Sequence, residues 1–328
     1  MMSFRVAVVV PCYNEAAAIA KVVADFRAAL PEATIHVYDN NSTDGTADIA
    51  RAAGAVVGSE TRRGKGNVVR RMFADVEADV YVLVDGDDTY EAAASRVMVD
   101  RLIAEKLDMI NGRRISDIEA AYRPGHRMGN LLLTGIVQYI FGDPIQDMLS
   151  GYRIMSRRFV KSFPTIAEGF GIETEMTVHA LQLRMPIAEM PSAYKDRPAG
   201  SASKLRTYHD GILILNTILG LVRQERPMMF FGAISFVLAI VAVILAYPVI
   251  VTFAQTGLVP RFPTAILATG IMLAAFLSLT SGVILESVTR GRWEVKRLQY
   301  LSLRSPSLDG RRLDSTNGQF AESETLAR

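Results

Sequence analysis

Two acidic side chains, Asp85 and Asp87, flank a glycine directly after the apolar run Tyr81–Val84. Gly86 carries no Cβ, which allows a ligand to approach the backbone closely. Carboxylates this near repel each other unless a cation lies between them or a sugar hydroxyl engages one of them. Mg²⁺ and Mn²⁺ prefer such hard oxygen ligands and share them with substrate phosphates. The spacing therefore predicts a divalent cation that carries a diphosphate, with Thr89 as a further candidate ligand.

The alternative is a solvated Asp-Gly turn that caps a helix starting near Ala92. The order of elements favours the cation site. Apolar runs at Phe4–Val10, Thr34–Tyr38 and Val80–Val84 alternate with segments of helical spacing. This order predicts an α/β fold, with an open, mostly parallel sheet and helices on both faces. Ligands of such sheets gather beyond the carboxyl ends of the strands. Polar clusters follow the three runs, at Pro11–Glu15, Asp39–Thr46 and Asp85–Thr89.

Two of the segments near these strand ends could bind a nucleotide. Turn chemistry accounts for Ser42–Thr46 but gives no reason for Asp39, which could accept hydrogen bonds from a base or a ribose. The basic segment 62–66 (RRGKG) lacks the first glycine and the final hydroxyl of a phosphate-binding loop. It is either a basic loop near the nucleotide, with Lys65 as a ligand, or a solvated basic turn.

The C-terminal part contains two long uncharged segments, Pro227–Val251 and Phe262–Leu285. At about 1.5 Å per residue, each is long enough to cross a hydrocarbon core of roughly 30 Å. The alternative is a buried hairpin of core helices. Basic residues flank the pair on its outer sides, whereas the short connecting loop holds only Arg261. The positive-inside rule then places both flanks in the cytoplasm, so the N-terminal domain and the tail lie on one side of an inner (cell) membrane.

Two further apolar segments, Leu131–Phe141 and Thr207–Leu221, are either amphipathic helices at the membrane surface or ordinary core helices. The predicted organisation has four parts. These are a catalytic domain over 1–205, an interfacial amphipathic helix over 206–226, two transmembrane helices within 227–289, and a basic then polar tail over 290–328 that is partly disordered.

Composition limits the other partners. The net charge of +2 gives no argument for nucleic acid. Cys12 is the only cysteine, so an internal disulfide is excluded and a reducing compartment is the simpler expectation. Residues 1–10 lack the charge and apolar pattern of a secretory signal, which also indicates a cytoplasmic domain. Two-span hairpins often associate, so a homo-oligomer is an open alternative.

The chain resembles the family 2 glycosyltransferases of the dolichol-phosphate mannosyltransferase and bacterial polyprenyl-phosphate glycosyltransferase type. The motifs that carry the resemblance span nearly the whole soluble domain: 9–15 (VVPCYNE), 39–46 (DNNSTDGT), 85–87 (DGD), 112–114 (GRR), 147–153 (DMLSGYR), 169–175 (GFGIETE) and 200–205 (GSASKL). The resemblance implies a GT-A fold, which is a Rossmann-like nucleotide-diphospho-sugar transferase domain. It also implies a nucleotide-diphosphate sugar donor, Mg²⁺ or Mn²⁺, and inversion at the sugar carbon.

The same resemblance implies which residues bind the donor. Asp87 would bind the metal directly, and Asp85 would contact ribose or metal. Asn40 stands where many relatives carry a second Asp, so the contacts to the base are expected to differ. Four residues would line the nucleoside: Pro11, Tyr13, Glu15 and Asp39.

On the acceptor side, Arg114 and Arg127 match the arginines that hold the acceptor phosphate, and Lys204 matches a basic residue of a closing loop. Arginine suits this task because its planar fork binds phosphate oxygens bidentately. Thr89 stands where mannosyltransferases often carry Gln, so mannose specificity does not carry over.

The predicted reaction transfers one sugar to a polyprenyl phosphate, either dolichyl or undecaprenyl, at the cytoplasmic face of the lipid bilayer. A phosphate monoester has a second pKa of about 6 and is largely dianionic at neutral pH, so it needs no strong general base. The alternatives are a glycolipid or polysaccharide synthase of the same fold and an inactive membrane scaffold. Trp293 lacks the preceding Gln of the synthase signature Gln-x-x-Arg-Trp and is better interpreted as an interfacial anchor.

Overall fold

The computed structural model describes residues 4–115, 135, 145–165, 171–195, 220 and 222–305. The chain divides into two compact units. The first comprises Met1–Gly211 together with Lys296–Arg328, and the second comprises Ile212–Val295.

A mixed sheet forms the centre of the first unit, and its described part contains seven strands in the order β3-β2-β1-β4-β6-β5-β7. The strands are β1 (Val6–Cys12), β2 (Thr34–Asp39), β3 (Val56–Ser59), β4 (Val80–Leu83), β5 (Met109–Ile115), β6 (Arg153–Ser156) and β7 (Ile187–Ala193). Only β6 runs antiparallel to its neighbours, β4 and β5. Because β1 pairs in parallel with both β2 and β4, the carboxyl ends of these three strands meet at one edge.

Helices cover both faces of this sheet. They are α1 (Ile19–Ala29), α2 (Thr46–Ala52), α3 (Lys65–Asp75), α4 (Ala94–Ala104), α5 (Arg157–Ser162) and α6 (Ile172–Gln182). Alternate β1 residues enter two separate cores: Val8 and Val10 pack with Phe26 of α1, whereas Val9 packs with Met72 of α3. Burial on both faces explains why β1 is apolar throughout. The predicted α/β architecture is confirmed.

One boundary differs from the sequence prediction in a way that affects the edge. The sequence placed a break at Pro11, but β1 continues through Cys12. Pro11 and Cys12 lie in register with Tyr38 and Asp39 of β2, and the Cys12 carbonyl accepts from the N–H of Asn40 at 2.9 Å. The ladder with β2 therefore continues past the proline, which brings Asp39 beside the end of β1.

The second unit contains the two apolar helices, α7 (Pro227–Thr256) and α8 (Phe262–Leu301), with the last turns of α8 from Lys296 belonging to the first unit. Their most apolar windows have mean hydropathies of 2.8 and 1.9, and 11% and 17% of those windows are buried. Ser235 donates to the carbonyl of Ala275 at 2.8 Å, and Ser278 donates to that of Phe231 at 2.9 Å. Helices so apolar and so little buried indicate membrane association rather than a hairpin in a protein core.

The last turns of α8, which belong to the first unit, pack against other residues of that unit, and the sequence did not predict these contacts. Tyr300 donates its hydroxyl to Asp108 Oδ2 at 2.7 Å, and Arg158 lies over the Tyr300 ring while pairing with Asp108 at 2.6 Å. Lys296 donates to Gln182 at 3.0 Å. The tail predicted over 290–328 thus begins as ordered helix, while residues 306–328 lie outside the described part of the chain. Both predicted interfacial segments fall almost entirely outside it as well.

Candidate active site

The loops that follow β1 and β2 are joined by hydrogen bonds between side chains and the backbone. The N–H of Asn14 donates to Ser42 Oγ at 2.8 Å, and the N–H of Thr43 donates to Asn14 Oδ1 at 2.8 Å. The N–H of Glu15 donates to Thr46 Oγ1 at 2.9 Å. Asn14 has a φ of 53°, a left-handed conformation that asparagine tolerates. The hydroxyls that the sequence assigned to turn structure therefore fix the loop after β1.

The four residues predicted to line a nucleoside lie at this edge. Pro11 and Glu15 are buried, whereas Tyr13 is 37% exposed and leaves an aromatic surface accessible. Asp39 Oδ2 accepts from the N–H of Ser42 at 3.1 Å. The other carboxylate oxygen of Asp39, Oδ1, is buried and has no hydrogen-bond partner within the described part of the chain. Because buried acceptors are normally satisfied, this oxygen is suited to an N–H or O–H group of a bound molecule.

Asn40 fixes the basic segment 62–66. Its Nδ2 donates to the carbonyl oxygens of Glu60 and Arg62, both at 2.8 Å, and its Oδ1 accepts from the N–H of Gly64 at 2.8 Å. The residue is 6% exposed, so these bonds are shielded from water. An ionised aspartate has no N–H to donate to the two carbonyls. Many relatives carry Asp at this position. Asn40 has a structural reason to differ, because only its amide can donate to the two carbonyl oxygens.

We expect Asn40→Asp to weaken nucleotide binding and to lower the unfolding free energy by about 1–3 kcal/mol, because the carboxylate would face two unpaired carbonyl oxygens. Thermal unfolding and calorimetric titration with UDP and GDP would measure the two effects. Asn41→Asp is the comparison, since the bonds from Asn41 to the same loop are longer, at 3.0 and 3.3 Å. Equal losses in the two variants would contradict the assignment.

Lys65, the first residue of α3, lies between two acidic side chains. Its Nζ is 2.5 Å from Asp85 Oδ1 and 2.5 Å from Glu173 Oε1. The Lys65 side chain is 12% exposed and that of Glu173 is 6% exposed. Burial lowers the pKa of Lys65, but the charges and hydrogen bonds of the two carboxylates outweigh burial and raise the pKa overall. The sequence left open whether Lys65 lies near a bound nucleotide or on a solvated turn. In the structure, Lys65 lies beside the acidic turn rather than in solvent.

Two glycines make room for the turn after β4. A Cβ on Gly86 would lie 2.5 Å from Cys12 Sγ at the end of β1. A Cβ on Gly151 would overlap the Asp85 carboxylate at Oδ2. The Asp85 side chain is therefore held by Lys65 on one side and by the backbone of Gly151 on the other.

Asp87 lies on the same turn and is 4% exposed. Its Oδ1 accepts from the hydroxyl of Thr89 at 2.6 Å and from the N–H of Thr89 at 3.3 Å. Thr89 thus orients Asp87. That Thr89 itself contacts a metal stays a prediction. In the part of the chain that the structure covers, no group of three or more His, Cys, Asp or Glu side chains could hold a metal ion. Two carboxylates on one turn fit a hard cation whose remaining ligands come from a diphosphate.

Arg114, at the end of β5, is held by Asp147. Arg114 Nε is 2.8 Å from Asp147 Oδ2, and Nη2 is 2.7 Å from Oδ1. The guanidinium also lies over the Tyr194 ring, 5.6 Å from its centroid. Burial raises the pKa of Asp147, but its hydrogen bonds and charge interaction with Arg114 outweigh burial and lower the pKa. A phosphate bound at Arg114 would share the guanidinium with Asp147.

We expect Asp147→Asn to lower the unfolding free energy by about 3 kcal/mol near neutral pH, because it removes one partner of a buried ion pair. The lowered pKa means that the stabilisation by Asp147 is present above the ordinary range of an aspartate and is lost as the pH falls through the folded-state value. Thermal unfolding between about pH 2 and 7 should show the variant and the parent converging in acid. Asp48→Asn, in an exposed pair with Arg51, should change little at any pH. A constant difference across the range would contradict this account.

Tyr90 connects the Asp85 turn with Arg114. Its hydroxyl accepts from the N–H of Gly151 at 2.9 Å, and Gly151 contacts Asp85. Its ring meets that of Tyr194 edge to face, with centroids 5.3 Å apart, and Tyr194 underlies Arg114. A chain of packed contacts therefore connects Asp85 to Arg114 through Gly151, Tyr90 and Tyr194. The other two predicted acceptor ligands, Arg127 and Lys204, lie outside the described residues.

The motifs at 147–153 and 169–175 contain charged residues whose function the sequence alone did not indicate. Arg153 is fully buried and donates to the Met148 carbonyl at 2.8 Å and to Thr177 Oγ1 at 2.9 Å. Burial lowers the pKa of Arg153 to about 10. Asp147 orients Arg114, and Glu173 binds Lys65. The available signal was a charged residue among apolar neighbours, which predicts a buried partner but not its identity.

The mixed sheet, with polar loops after β1 and β2 and an acidic turn after β4, fits the GT-A fold that the sequence predicts. Residues 7–163 match the sequence model of the family described as Glycosyl transferase family 2. The chain is 35% identical over 237 residues to glycosyltransferase AglJ of Haloferax volcanii, covering 70% of this chain and 76% of the relative. This chain belongs to glycosyl transferase family 2.

A second relative agrees with that assignment, and a solved structure agrees with the fold. A dolichyl-phosphate hexose transferase of Haloferax volcanii is 29% identical over 220 residues, covering 67% of this chain and 95% of the relative. A crystal structure of glucosyl-3-phosphoglycerate synthase from Mycobacterium tuberculosis, in complex with Mn²⁺, uridine-diphosphate and glucosyl-3-phosphoglycerate, superposes with a TM-score of 0.53. It is 22% identical and the match covers 68% of this chain and 80% of that chain, which supports the fold.

Proposed function

We propose that this glycosyltransferase transfers one sugar from a nucleotide-diphosphate sugar to a polyprenyl phosphate, with inversion at the sugar carbon. The observation that carries the proposal is the chain of contacts that links Asp85, on the acidic turn, to Arg114 through Gly151, Tyr90 and Tyr194. A cation-bound leaving group and an anionic acceptor need acidic and basic side chains near each other, and these contacts would bring the two together. The relative named as a dolichyl-phosphate hexose transferase supports the acceptor class.

The nucleoside would bind at the ends of β1 and β2. The buried Oδ1 of Asp39 would accept a hydrogen bond from the base or the ribose, and the exposed ring of Tyr13 would contact the base. Asn40 holds the segment that carries Lys65, and the Lys65 ammonium, beside Asp85, would then contact the diphosphate. Pro11 and Glu15 would line the nucleoside as well.

Asp85 and Asp87 would hold the metal, with Thr89 supporting Asp87. Mn²⁺ or Mg²⁺, when bound, neutralises charge on the departing diphosphate. The crystal structure of glucosyl-3-phosphoglycerate synthase with Mn²⁺ and uridine-diphosphate supports the choice of such a metal, although not one metal over the other.

The acceptor needs positioning rather than activation. A polyprenyl phosphate is largely dianionic at neutral pH, and one of its oxygens attacks the anomeric carbon. The bond between that carbon and the diphosphate oxygen breaks, and the nucleoside diphosphate leaves with the electron pair. Arg114 would hold the attacking phosphate in line, since Asp147 fixes the plane of its guanidinium. Arg127 and Lys204 are proposed as further phosphate ligands.

The two apolar helices would form a hairpin across the inner membrane, with the catalytic domain on its cytoplasmic side. Basic residues on the outer flanks of the hairpin support this orientation, and the short loop would lie outside. The lipid acceptor then reaches the site from the same membrane that anchors the enzyme.

The test is to incubate the detergent-extracted protein with undecaprenyl phosphate, Mn²⁺ and a panel of nucleotide sugars, and to analyse the lipid fraction by mass spectrometry. The proposal expects one donor to add a single hexose mass to the lipid phosphate. Repeated additions would indicate a synthase of the same fold. An unchanged lipid with every donor, from protein that is folded by circular dichroism, would contradict the proposed activity.

A further inference from the structure

Lys65 contacts the two carboxylates in a way that bears on how the metal enters. Its ammonium is 2.5 Å from Asp85 Oδ1, an oxygen that the proposed function gives to the divalent cation. It is equally close to Glu173 Oε1, at the N-terminal end of α6. An ammonium at this distance supplies the positive charge that Asp85 would otherwise draw from a metal ion.

We propose that Lys65 is an internal counter-ion that competes with the divalent cation for Asp85, and that Glu173 is the positioning residue that receives Lys65 when the metal binds. The inference rests on the proposed function, since it requires Asp85 to take part in metal binding. A metal ion alone has to displace the ammonium from Asp85 and leave it with Glu173 as its one remaining acidic partner of the two. A metal ion that arrives with a diphosphate brings an anion that Lys65 can contact instead.

Burial strengthens the charge interactions between Lys65 and its two carboxylate partners. The three side chains are only 12%, 29% and 6% exposed, in the order Lys65, Asp85 and Glu173, so water screens their charges weakly. Asp85 Oδ2 occupies the space that a Cβ on Gly151 would fill, so the carboxylate already lies against the chain on that side. The ammonium rather than the carboxylate is therefore the group with room to move, because it ends a flexible four-carbon chain.

The consequence is thermodynamic coupling between metal and diphosphate. If the diphosphate draws Lys65 away from Asp85, it raises the affinity for the metal, and the metal raises the affinity for the diphosphate by the same factor. The site would then bind metal weakly by itself and tightly as a metal–nucleotide complex. Asp85 and Asp87 would therefore bind a cation that arrives with the donor diphosphate more tightly than a free cation.

The test measures binding of Mn²⁺ alone, by the electron paramagnetic resonance signal of the free ion, at pH 7.5. We expect Lys65→Met to bind Mn²⁺ about tenfold more tightly than the parent, because two carboxylates then lack their counter-ion. Glu173→Gln should bind it more weakly, since the ammonium then pairs with Asp85 alone. Lys65→Gln serves as a second neutral variant in case the methionine variant does not fold, and circular dichroism checks all of them.

A merely structural lysine would make both substitutions weaken Mn²⁺ binding, so Lys65 variants that fold and bind Mn²⁺ no more tightly than the parent would overturn the proposal. A second arm repeats the titration with UDP and, separately, with GDP. The nucleotide that binds should tighten Mn²⁺ binding by a larger factor in the parent than in Lys65→Met. Equal factors would also overturn it. Failure of sugar transfer with every donor would contradict the proposed function without changing the opposite shifts expected for Mn²⁺ alone.

Discussion

Asp87→Asn is expected to reduce sugar transfer at least about a thousandfold, with little change in the folded structure. The substitution keeps the shape of the side chain and leaves an oxygen that can accept from Thr89 at the position of Oδ1. It removes the charge that would bind the cation, and metal stabilisation of a leaving diphosphate contributes several kcal/mol to such a reaction. Initial rates at saturating Mn²⁺, with the donor and lipid found by mass spectrometry, provide the measurement.

Asp88→Asn is the matched control, because it makes the same chemical change on the same turn. Asp88 has a φ of 56°, which asparagine also tolerates. Its carboxylate pairs with Lys21 at 2.9 Å and not with Lys65. We expect this variant to keep most of its activity. Similar losses in the two variants would show that the turn, rather than the Asp87 carboxylate, is what transfer requires.

Gly151→Ala is expected to lower the transfer rate about a hundredfold, although the substitution adds only one methyl group. That methyl group would overlap Asp85 Oδ2, so either the carboxylate or the loop must shift. A displacement of about 1 Å in a catalytic group can cost a factor of this size. The affinity for the metal–nucleotide complex should fall as well, because Asp85 leaves its position beside Lys65.

Gly291→Ala provides the matched control for the added methyl group, since no atom lies within 4 Å of the Cβ position there. Steady-state kinetics and nucleotide titration of both variants would separate a local effect at Asp85 from a general loss of stability. Full activity in Gly151→Ala would mean that the position of the Asp85 side chain does not matter for transfer.

The part of the sheet formed by β1, β2 and β4 could be predicted from sequence because the end of each of these strands carries a local signal. Apolar runs followed by polar turns identified β1, β2 and β4, and the ends of parallel strands meet at one edge regardless of the details. Asp39, Asp85 and Asp87 were therefore found from their positions after these runs. Their placement required no knowledge of which side chains touch.

Contacts between distant segments could not be predicted in the same way. The sequence did not decide whether Lys65 is a nucleotide ligand or part of a solvated turn. Nothing near residue 65 in the sequence shows that Asp85 and Glu173 both contact it. Gly151 resembles any loop glycine until Asp85 is seen against it. Tyr300 lies in a stretch of sequence with no local sign that it packs on Asp108. Each of these residues is defined by a partner that only the fold brings near.

The most direct test of the central claim is the linkage in the lipid product, measured by proton and phosphorus NMR after preparative transfer. The account predicts a single phosphodiester in which the anomeric carbon of one sugar is bonded to an oxygen of the lipid phosphate, with its configuration inverted relative to the donor. A lipid phosphate that stays a monoester, or a sugar attached with the configuration of the donor, would contradict it.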